Sequence, residues 1–360
     1  MPSSSASARL RRLLSSSLST PYPRSLAMPG AFNGLVARAV AHAGFEATYV
    51  SGAGVAAGMG LPDIGLAGIE DFTRVVRDVS TCSGLPLIAD ADTGGEGGRE
   101  GVRRLVFEYR RAGAAGLHIE DQVFPKRCGH LDGKQLVPTA DFALKIQAAA
   151  EARDEEAEEE GQGGREKEGG MVICARTDAR SVEGIEKVIE RAKQYVDAGA
   201  DMIFPEGLYT AAEFLKVSKA LRGYNGVNEG EGPFLLANMT EFGKTPLLST
   251  IKMGELGYHC TIFPMTLFRR AMRGVMEGLE ELREGGRVKG KTLREGRLMT
   301  REETYELLGY TPGKEWVYPS ANARGEGRGG GKRSGFVQTG GPVGKGDEEE
   351  RGGVGRGKVR

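Results

Sequence analysis

From Ser25 to Glu284 the chain repeats one unit eight times: a short unbroken apolar run, then a longer amphipathic one. The short runs are Ser25–Met28, Ala47–Ser51, Leu85–Asp90, Gly116–Glu120, Val172–Arg176, Met202–Pro205, Phe234–Asn238 and Cys260–Pro264. Each is continuous rather than alternating in hydropathy, as expected of strands covered on both faces. The segments that follow them have helical spacing: Asn33–Ala43, Ile69–Ser80, Gly101–Ala112, Ala140–Arg153, Val182–Ala198, Ala211–Leu221, Thr250–Leu256 and Thr266–Glu284. Several close on a glycine (Gly44, Gly113, Gly199, Gly257) that can take the left-handed conformation past a helix end. Eight β-α units in about 250 residues are the content of a closed (β/α)8 barrel. A doubly wound open sheet is the alternative α/β topology. The count of eight favours the TIM barrel. So do the polar residues that follow many of the strand-like runs, because barrel active sites assemble at the C-terminal strand ends.

The barrel reading covers residues 25–318, flanked by an N-terminal segment 1–24 and a tail 319–360. The first 27 residues are rich in Ser and Arg and lack Asp and Glu, the composition of a mitochondrial transit peptide. An amphipathic first helix over Ala8–Leu14 is the alternative, and location in the mitochondrial matrix or the cytoplasm stays open with it. Asp154–Gly170 holds eight acidic residues and five glycines and is expected to be a disordered insertion. The Gly- and Arg-rich tail is read as solvated low-complexity chain rather than an RNA-binding segment. Thr300-Arg301-Glu302-Glu303 has the capping-box pattern that starts a last helix. The 49 basic and 49 acidic residues cancel, so net charge names no partner. No apolar run approaches the ~20 residues of a membrane span. The four cysteines are far apart with no C-x-x-C pair, which indicates neither a zinc site nor a disulfide framework.

Asp90 and Asp92 flank Ala91 at the end of one strand-like run. Residues two apart on a strand face the same side, so both carboxylates are expected to enter one site. Glu120 and Asp121 end the next run. Clustered carboxylates suit Mg2+, which keeps several waters and often bridges to substrate. Singly, each has an ordinary use as a helix cap or ion pair; the contribution from two strands is what points to a metal. Just downstream lies Lys126-Arg127-Cys128-Gly129-His130. Cys82, Cys174 and Cys260 read as small buried hydrophobes. Cys128 differs, because Lys126, Arg127 and His130 should lower its pKa in a polar, glycine-containing stretch. A bound polycarboxylate would oppose those cations and restore the thiol. Arg176 and Arg269 are candidate carboxylate clamps, since guanidinium binds carboxylate in bidentate fashion. Glu206 and Asn238-Met239-Thr240-Glu241 follow other strand ends. The glycines of Tyr49-Val50-Ser51-Gly52-Ala53-Gly54 would let backbone N–H groups approach an anion. His42, His118 and His259 read as packing or surface residues.

Together these motifs resemble the isocitrate lyase/phosphoenolpyruvate mutase superfamily, and most closely its 2-methylisocitrate lyases. The resemblance runs through Tyr49–Gly52, Gly60-Leu61-Pro62-Asp63, Asp90-Ala91-Asp92-Thr93-Gly94, Gly116–Asp121, Lys126–His130, Ala175–Asp178, Phe204-Pro205-Glu206 and Asn238–Gly243. It implies a Mg2+-dependent barrel (Mn2+ in its place), usually tetrameric, with the last helix exchanged between subunits. It implies that Asp90 ligates the metal directly, with Asp92, Asp63 and Glu120 around it through water. Cys128 would be the proton donor, within a catalytic motif that includes Lys126, Arg127 and His130. Tyr49 is the candidate base or its relay. Ser51, Gly52, Ala53, Gly129, Arg176, Glu206, Asn238, Thr240, Arg269 and Arg301 match substrate-contacting positions. The implied reaction is retro-aldol cleavage of 2-methylisocitrate to pyruvate and succinate, on a small di- or tricarboxylate and with no membrane partner. Alternatives are 2,3-dimethylmalate cleavage, oxaloacetate hydrolysis and a phosphonate-forming (carboxyvinyl-carboxyphosphonate) phosphorylmutase. Oxaloacetate hydrolases tend to carry serine where this chain has Pro264. Phe204 and Ile262 are expected to wall a substrate methyl group. Glu96 departs from the family's pattern, which has a second glycine there.

Overall fold

The computed structural model describes residues 5–19, 21–126, 133–159, 170–296 and 298–316. Arg127, Cys128, Gly129, His130 and the tail, named above, therefore lie outside the described residues. Eight parallel strands form the sheet: β1 Leu26–Pro29, β2 Thr48–Val50, β3 Leu87–Asp90, β4 Gly116–Glu120, β5 Val172–Thr177, β6 Met202–Pro205, β7 Phe234–Asn238 and β8 Cys260–Phe263. β1 pairs with β8, and the order then runs back to β2. A bridge from Gly30 to Tyr49 joins β1 to β2 and brings the sheet round into a barrel. The eight strands coincide with the eight apolar runs to within a few residues. At the β1/β8 seam a Cβ on Gly30 would sit 2.1 Å from the Pro264 carbonyl oxygen, so only glycine fits there.

The helices are α1 Ala6–Ser17, α2 Gly34–His42, α3 Gly52–Gly58, α4 Ile69–Ser83, α5 Gly98–Arg111, α6 Thr139–Glu159, α7 Ile185–Asp197, α8 Ala211–Leu221, α9 Thr250–Glu255, α10 Thr266–Gly285, α11 Gly290–Arg294 and α12 Arg301–Leu308. Gly44, Gly113, Gly199 and Gly257 all have positive φ, so the glycine stops read from sequence are real. The Thr300–Glu303 capping box starts α12, also as read. α3 is a departure: the Gly-rich stretch after β2 forms a short helix rather than an open turn. α6 is another. It continues through Glu159, so the first part of the acidic insertion is helical: Ala and Glu are good helix formers and extend a helix already begun. Residues 160–169 lie outside the described set.

Two apolar cores result. One lies between sheet and outer helices. The other fills the barrel interior with Met28, Tyr49, Ile88, Val172, Cys174, Met202, Phe204, Phe234, Leu236, Cys260 and Ile262. Leu10 and Leu14 of α1 belong to the inner core and are fully buried. Arg11 between them bonds the carbonyl of Gly170 at 2.9 Å and pairs with Asp201 at 3.0 Å. Arg153 meets the other oxygen of Asp201 at 2.7 Å. The segment 1–24, set apart in the sequence reading, thus contributes the helix that closes the barrel floor. No helix is long and apolar enough to cross a membrane among the described residues.

Candidate active site

Inward-facing positions change character from floor to mouth. On β5 they read Val172, Cys174, Arg176; after β6, Met202 and Phe204 give way to Glu206; on β7, Phe234 and Leu236 give way to Asn238. On β4 they are Gly116, His118 and Glu120, and on β3 Ile88 and Asp90. Strand alternation thus delivers Asp90, Glu120, Arg176, Glu206 and Asn238 to one end of the barrel.

Asp92 reaches the same place by another route. The strand ends at Asp90, and Asp92 takes φ +47°, outside strand geometry. The two carboxylates converge through a turn, not through the pleat: Asp92 N–H donates to Asp90 Oδ1 at 3.0 Å. Asp90 Oδ2 accepts from Gly52 N–H at 3.0 Å. A Cβ at Gly52 would lie 2.8 Å from that oxygen. The Gly52 amide, read from sequence as facing an anion, faces Asp90 itself. Ser51 is buried at the start of α3 and makes no capping bond, and Ala53 follows it.

Lys126 is almost fully buried, its Nζ 2.7 Å from Asp63 Oδ1 and 2.5 Å from Asp92 Oδ1. Burial opposes its charge, but Asp90, Glu120, Asp92 and Asp63 outweigh burial and keep it protonated. Burial also opposes ionisation of Asp90, yet His118, Lys126 and Arg176 hold its pKa down to about 2. Asp92 moves the other way, to about 6, through burial and the like charge of Asp90. Glu120 is pushed well up by burial, against Arg176. Neither Glu120 oxygen has a hydrogen-bond partner among the described residues, although Arg176 Nη1 lies 3.2 Å from Oε2.

Arg176 spans the mouth. Asp178 holds it in bidentate fashion, Nε to Oδ2 at 2.9 Å and Nη2 to Oδ1 at 3.2 Å. Its Nη2 lies 3.8 Å from Glu206, which also accepts from Asn238 Nδ2 at 3.0 Å. Asp178 is opposed by burial but held to about 2 by Arg176 and Lys134, whose Nζ is 2.9 Å from Oδ1. Arg269 Nη1 is tied to Glu241 Oε2 at 2.5 Å and reaches Thr240 Oγ1 at 3.4 Å.

Three placements differ from the sequence reading. Asp121 turns to the helix layer, where Thr177, Tyr195 and Arg191 bind its carboxylate. Its neighbour Glu120 faces the barrel, because adjacent strand residues point to opposite faces. Arg301 is exposed at the start of α12, which packs on α2, outside the group of residues at the mouth. His118 is fully buried in the barrel rather than merely packing. Its Nε2 is 2.8 Å from the Tyr49 hydroxyl and its Nδ1 3.8 Å from Asp90 Oδ1. Its place two residues before Glu120 was the signal that it faces the same way. Asp178 stands in the same relation to Arg176. Lys134 had no local signal.

The donor set is all oxygen: Asp90, Asp92, Asp63 and Glu120. Among the described residues no three such groups are gathered into a ready chelate. The Lys126 ammonium lies between Asp63 and Asp92 instead. That arrangement fits Mg2+, which takes one or two carboxylates and completes its shell with water and substrate. The Glu120 oxygens, paired in charge with Arg176 but without a hydrogen bond among the described residues, fit a neighbour that brings donors of its own, such as a hydrated cation.

The phosphoenolpyruvate phosphomutase family model matches residues 16–283. The chain belongs to the phosphoenolpyruvate mutase/isocitrate lyase superfamily. Among its superfamily relatives, probable 2-methylisocitrate lyase 1 of Corynebacterium glutamicum is 44% identical over 302 residues, 84% of this chain and 90% of that protein. The 2-methylisocitrate lyase of Aeropyrum pernix is 42% identical over 282 residues, 78% of this chain and 82% of its own. A crystal structure of 2,3-dimethylmalate lyase superposes with TM-score 0.71 at 34% identity, covering 86% of this chain and 93% of that one. Oxaloacetate acetylhydrolase bound to 3,3-difluorooxalacetate gives 0.71 at 32% identity, covering 84% and 93%. A phosphonopyruvate hydrolase complex with oxalate and Mg2+ gives 0.67 at 27%, covering 85% and 95%.

Proposed function

We propose that this carbon–carbon lyase of the superfamily cleaves 2-methylisocitrate to pyruvate and succinate. The observation that carries the reading is one barrel end that sets an oxygen-donor group, with Glu120 lacking a hydrogen-bond partner among the described residues, beside the Asp178-held guanidinium of Arg176. The choice of substrate within the class is supported by the relatives named 2-methylisocitrate lyase at 42% identity and above 30% elsewhere. Phe204 and Ile262, expected to wall a methyl group, are instead buried in the inner core, the Phe204 ring 5.4 Å from His118 and beneath the Arg176 guanidinium at 5.2 Å.

Asp90 would hold Mg2+, with Asp92, Asp63 and Glu120 around it. When bound, the ion supplies Lewis-acid stabilisation of negative charge on the substrate oxygens. Arg176 and Arg269 bind substrate carboxylates, with Glu206, Asn238, Thr240 and Ser51 lining the same space. Burial keeps Tyr49 a phenol and lowers His118 to about 4, so the imidazole is neutral. Its Nδ1 faces Asp90, and the Nδ1–H tautomer leaves Nε2 to accept from Tyr49. Tyr49 lies one inward position below Ser51, which suits a relay: it takes the substrate hydroxyl proton as its own passes to His118. The bond from the carbinol carbon to its neighbour then breaks. Its electron pair stays on the succinate fragment, which takes a proton from Cys128, and pyruvate leaves with the new carbonyl. The thiol's role comes from the Lys126–His130 motif. The exposed apolar face of α10 supports a homotetramer in which that helix packs on a second copy.

The test is direct. Purified protein, Mg2+ and each candidate acid are mixed and the products identified. Pyruvate with succinate is the expected result. Acetate with oxalate from oxaloacetate, or pyruvate with propionate from 2,3-dimethylmalate as the preferred reaction, would replace the substrate. Cys128→Ser should lower turnover steeply while leaving the fold intact.

A further inference from the structure

The turn that carries Asp90 and Asp92 is held by its backbone carbonyls, each from a different side. Tyr109 Oη, from α5, donates to the carbonyl of Asp90 at 2.8 Å. Gly94 N–H donates to that of Ala91 at 3.0 Å, and Glu120 N–H to that of Asp92 at 2.9 Å. Lys145 Nζ, from α6, donates to that of Thr93 at 2.8 Å. The last of these is an unusual use of a lysine. The side chain is half-buried, and the Thr93 carbonyl is its sole hydrogen-bond or ion-pair partner among the described residues. Burial lowers its pKa with no carboxylate beside it to offset the cost. An ammonium withdrawn from water for one neutral acceptor is retained poorly unless that acceptor's position matters. Here the carbonyl belongs to the residue after Asp92, whose φ of +47° a non-glycine residue seldom adopts.

We infer that Lys145 and Tyr109 are positioning residues that clamp the Asp90–Thr93 turn from the outer helix layer, so that both carboxylates face the cation site. Neither touches substrate or the reacting atoms. Tyr109 fixes the turn where it leaves β3, and Lys145 fixes it beyond the left-handed residue. The peptide between them is then denied the relaxation that would swing Asp92 away. The inference rests on the proposed Mg2+ site and adds residues on α5 and α6 to it. Outer groups that orient metal ligands typically change affinity by about 10–100-fold when removed.

The experiment reads metal binding without turnover. Mn2+ is titrated into the full chain in the absence of substrate, and free Mn2+ is followed by its EPR signal. Lys145→Met is expected to weaken Mn2+ binding by about tenfold or more, with Tyr109→Phe weakening it in the same sense. Lys145→Arg, which keeps a cationic donor, should recover most of the loss. Thermal unfolding of each variant, and Lys145→Gln should the Met variant not fold, separates loss of positioning from loss of fold. Lys145→Met binding Mn2+ within twofold of the parent overturns the inference. So does a loss that Lys145→Arg does not reduce. A parent chain that binds no Mn2+ removes the metal reading of the proposed function and this inference with it. A parent that binds, with an unaffected Lys145→Met, removes this inference alone.

Discussion

Tyr49 and His118 share a 2.8 Å hydrogen bond at a depth where burial denies charge to both. Tyr49→Phe keeps the ring and removes the shared proton. Turnover is expected to fall by about 100-fold or more, as for loss of general acid–base chemistry, with KM little changed; steady-state kinetics measure both. A kcat within threefold of the parent would take Tyr49 out of the relay. His259 makes a second prediction. Its Nδ1 accepts from Leu235 N–H at 3.0 Å, and burial holds its pKa to about 4. The unfolded chain titrates near 6.5, so between those values it binds the extra proton and the native state does not. Stability is therefore complete above about 6.5 and declines as pH falls toward 4, by up to roughly 3 kcal/mol. Urea midpoints across that range should show the slope, and His259→Gln should make it shallower, leaving the part that His118, also held to about 4, contributes. At this scale Asp90, Glu120 and Arg176 were legible from sequence, because a strand's last inward residue must face the mouth. The inward direction of His118 was legible in the same way, but its partners were not: nothing local separates an imidazole packed in a core from one bonded to a phenol beside a carboxylate. The tie between Arg269 and Glu241 was hidden as well, since it joins residues 28 apart.

α1 carries the barrel floor on two leucines and one arginine. Leu10→Ala or Leu14→Ala should each destabilise by about 2–5 kcal/mol, the range for a fully buried leucine truncated in place, while activity at low temperature persists. Denaturant unfolding checks the first and the cleavage assay the second. An unchanged midpoint would mean that the helix leaves the floor in solution. The eight strands and their helices could be read from sequence because burial on both faces leaves runs that no other element explains. α3 could not, because Gly52-Ala53-Gly54 has poor helix propensity and its form is set by Asp90 beneath it. The extension of α6 is not legible because its acidic composition points to disorder, while the pairs of Arg99 with Glu151 and Arg103 with Glu155 that hold it to α5 join residues 52 apart.

α10 is twenty residues long and buries none of them in its own chain. Met272, Val275, Met276, Leu279 and Leu282 recur at helical spacing, each at least 41% exposed. Glutamate at both Met276 and Leu279 should break an assembly built on that face, seen by sedimentation as a smaller species with a near-native far-UV spectrum. An unchanged sedimentation coefficient would leave the stripe without its assigned partner. The opposite pole has a different use. The chain leaves α6 at Glu159 and re-enters at Gly170, whose carbonyl is bonded by Arg11 of the floor helix. That junction and the mouth lie at opposite ends of the strands. A reporter domain or affinity handle spliced between residues 160 and 169 would therefore ride on the far side of the molecule, and the cleavage assay should not register its presence.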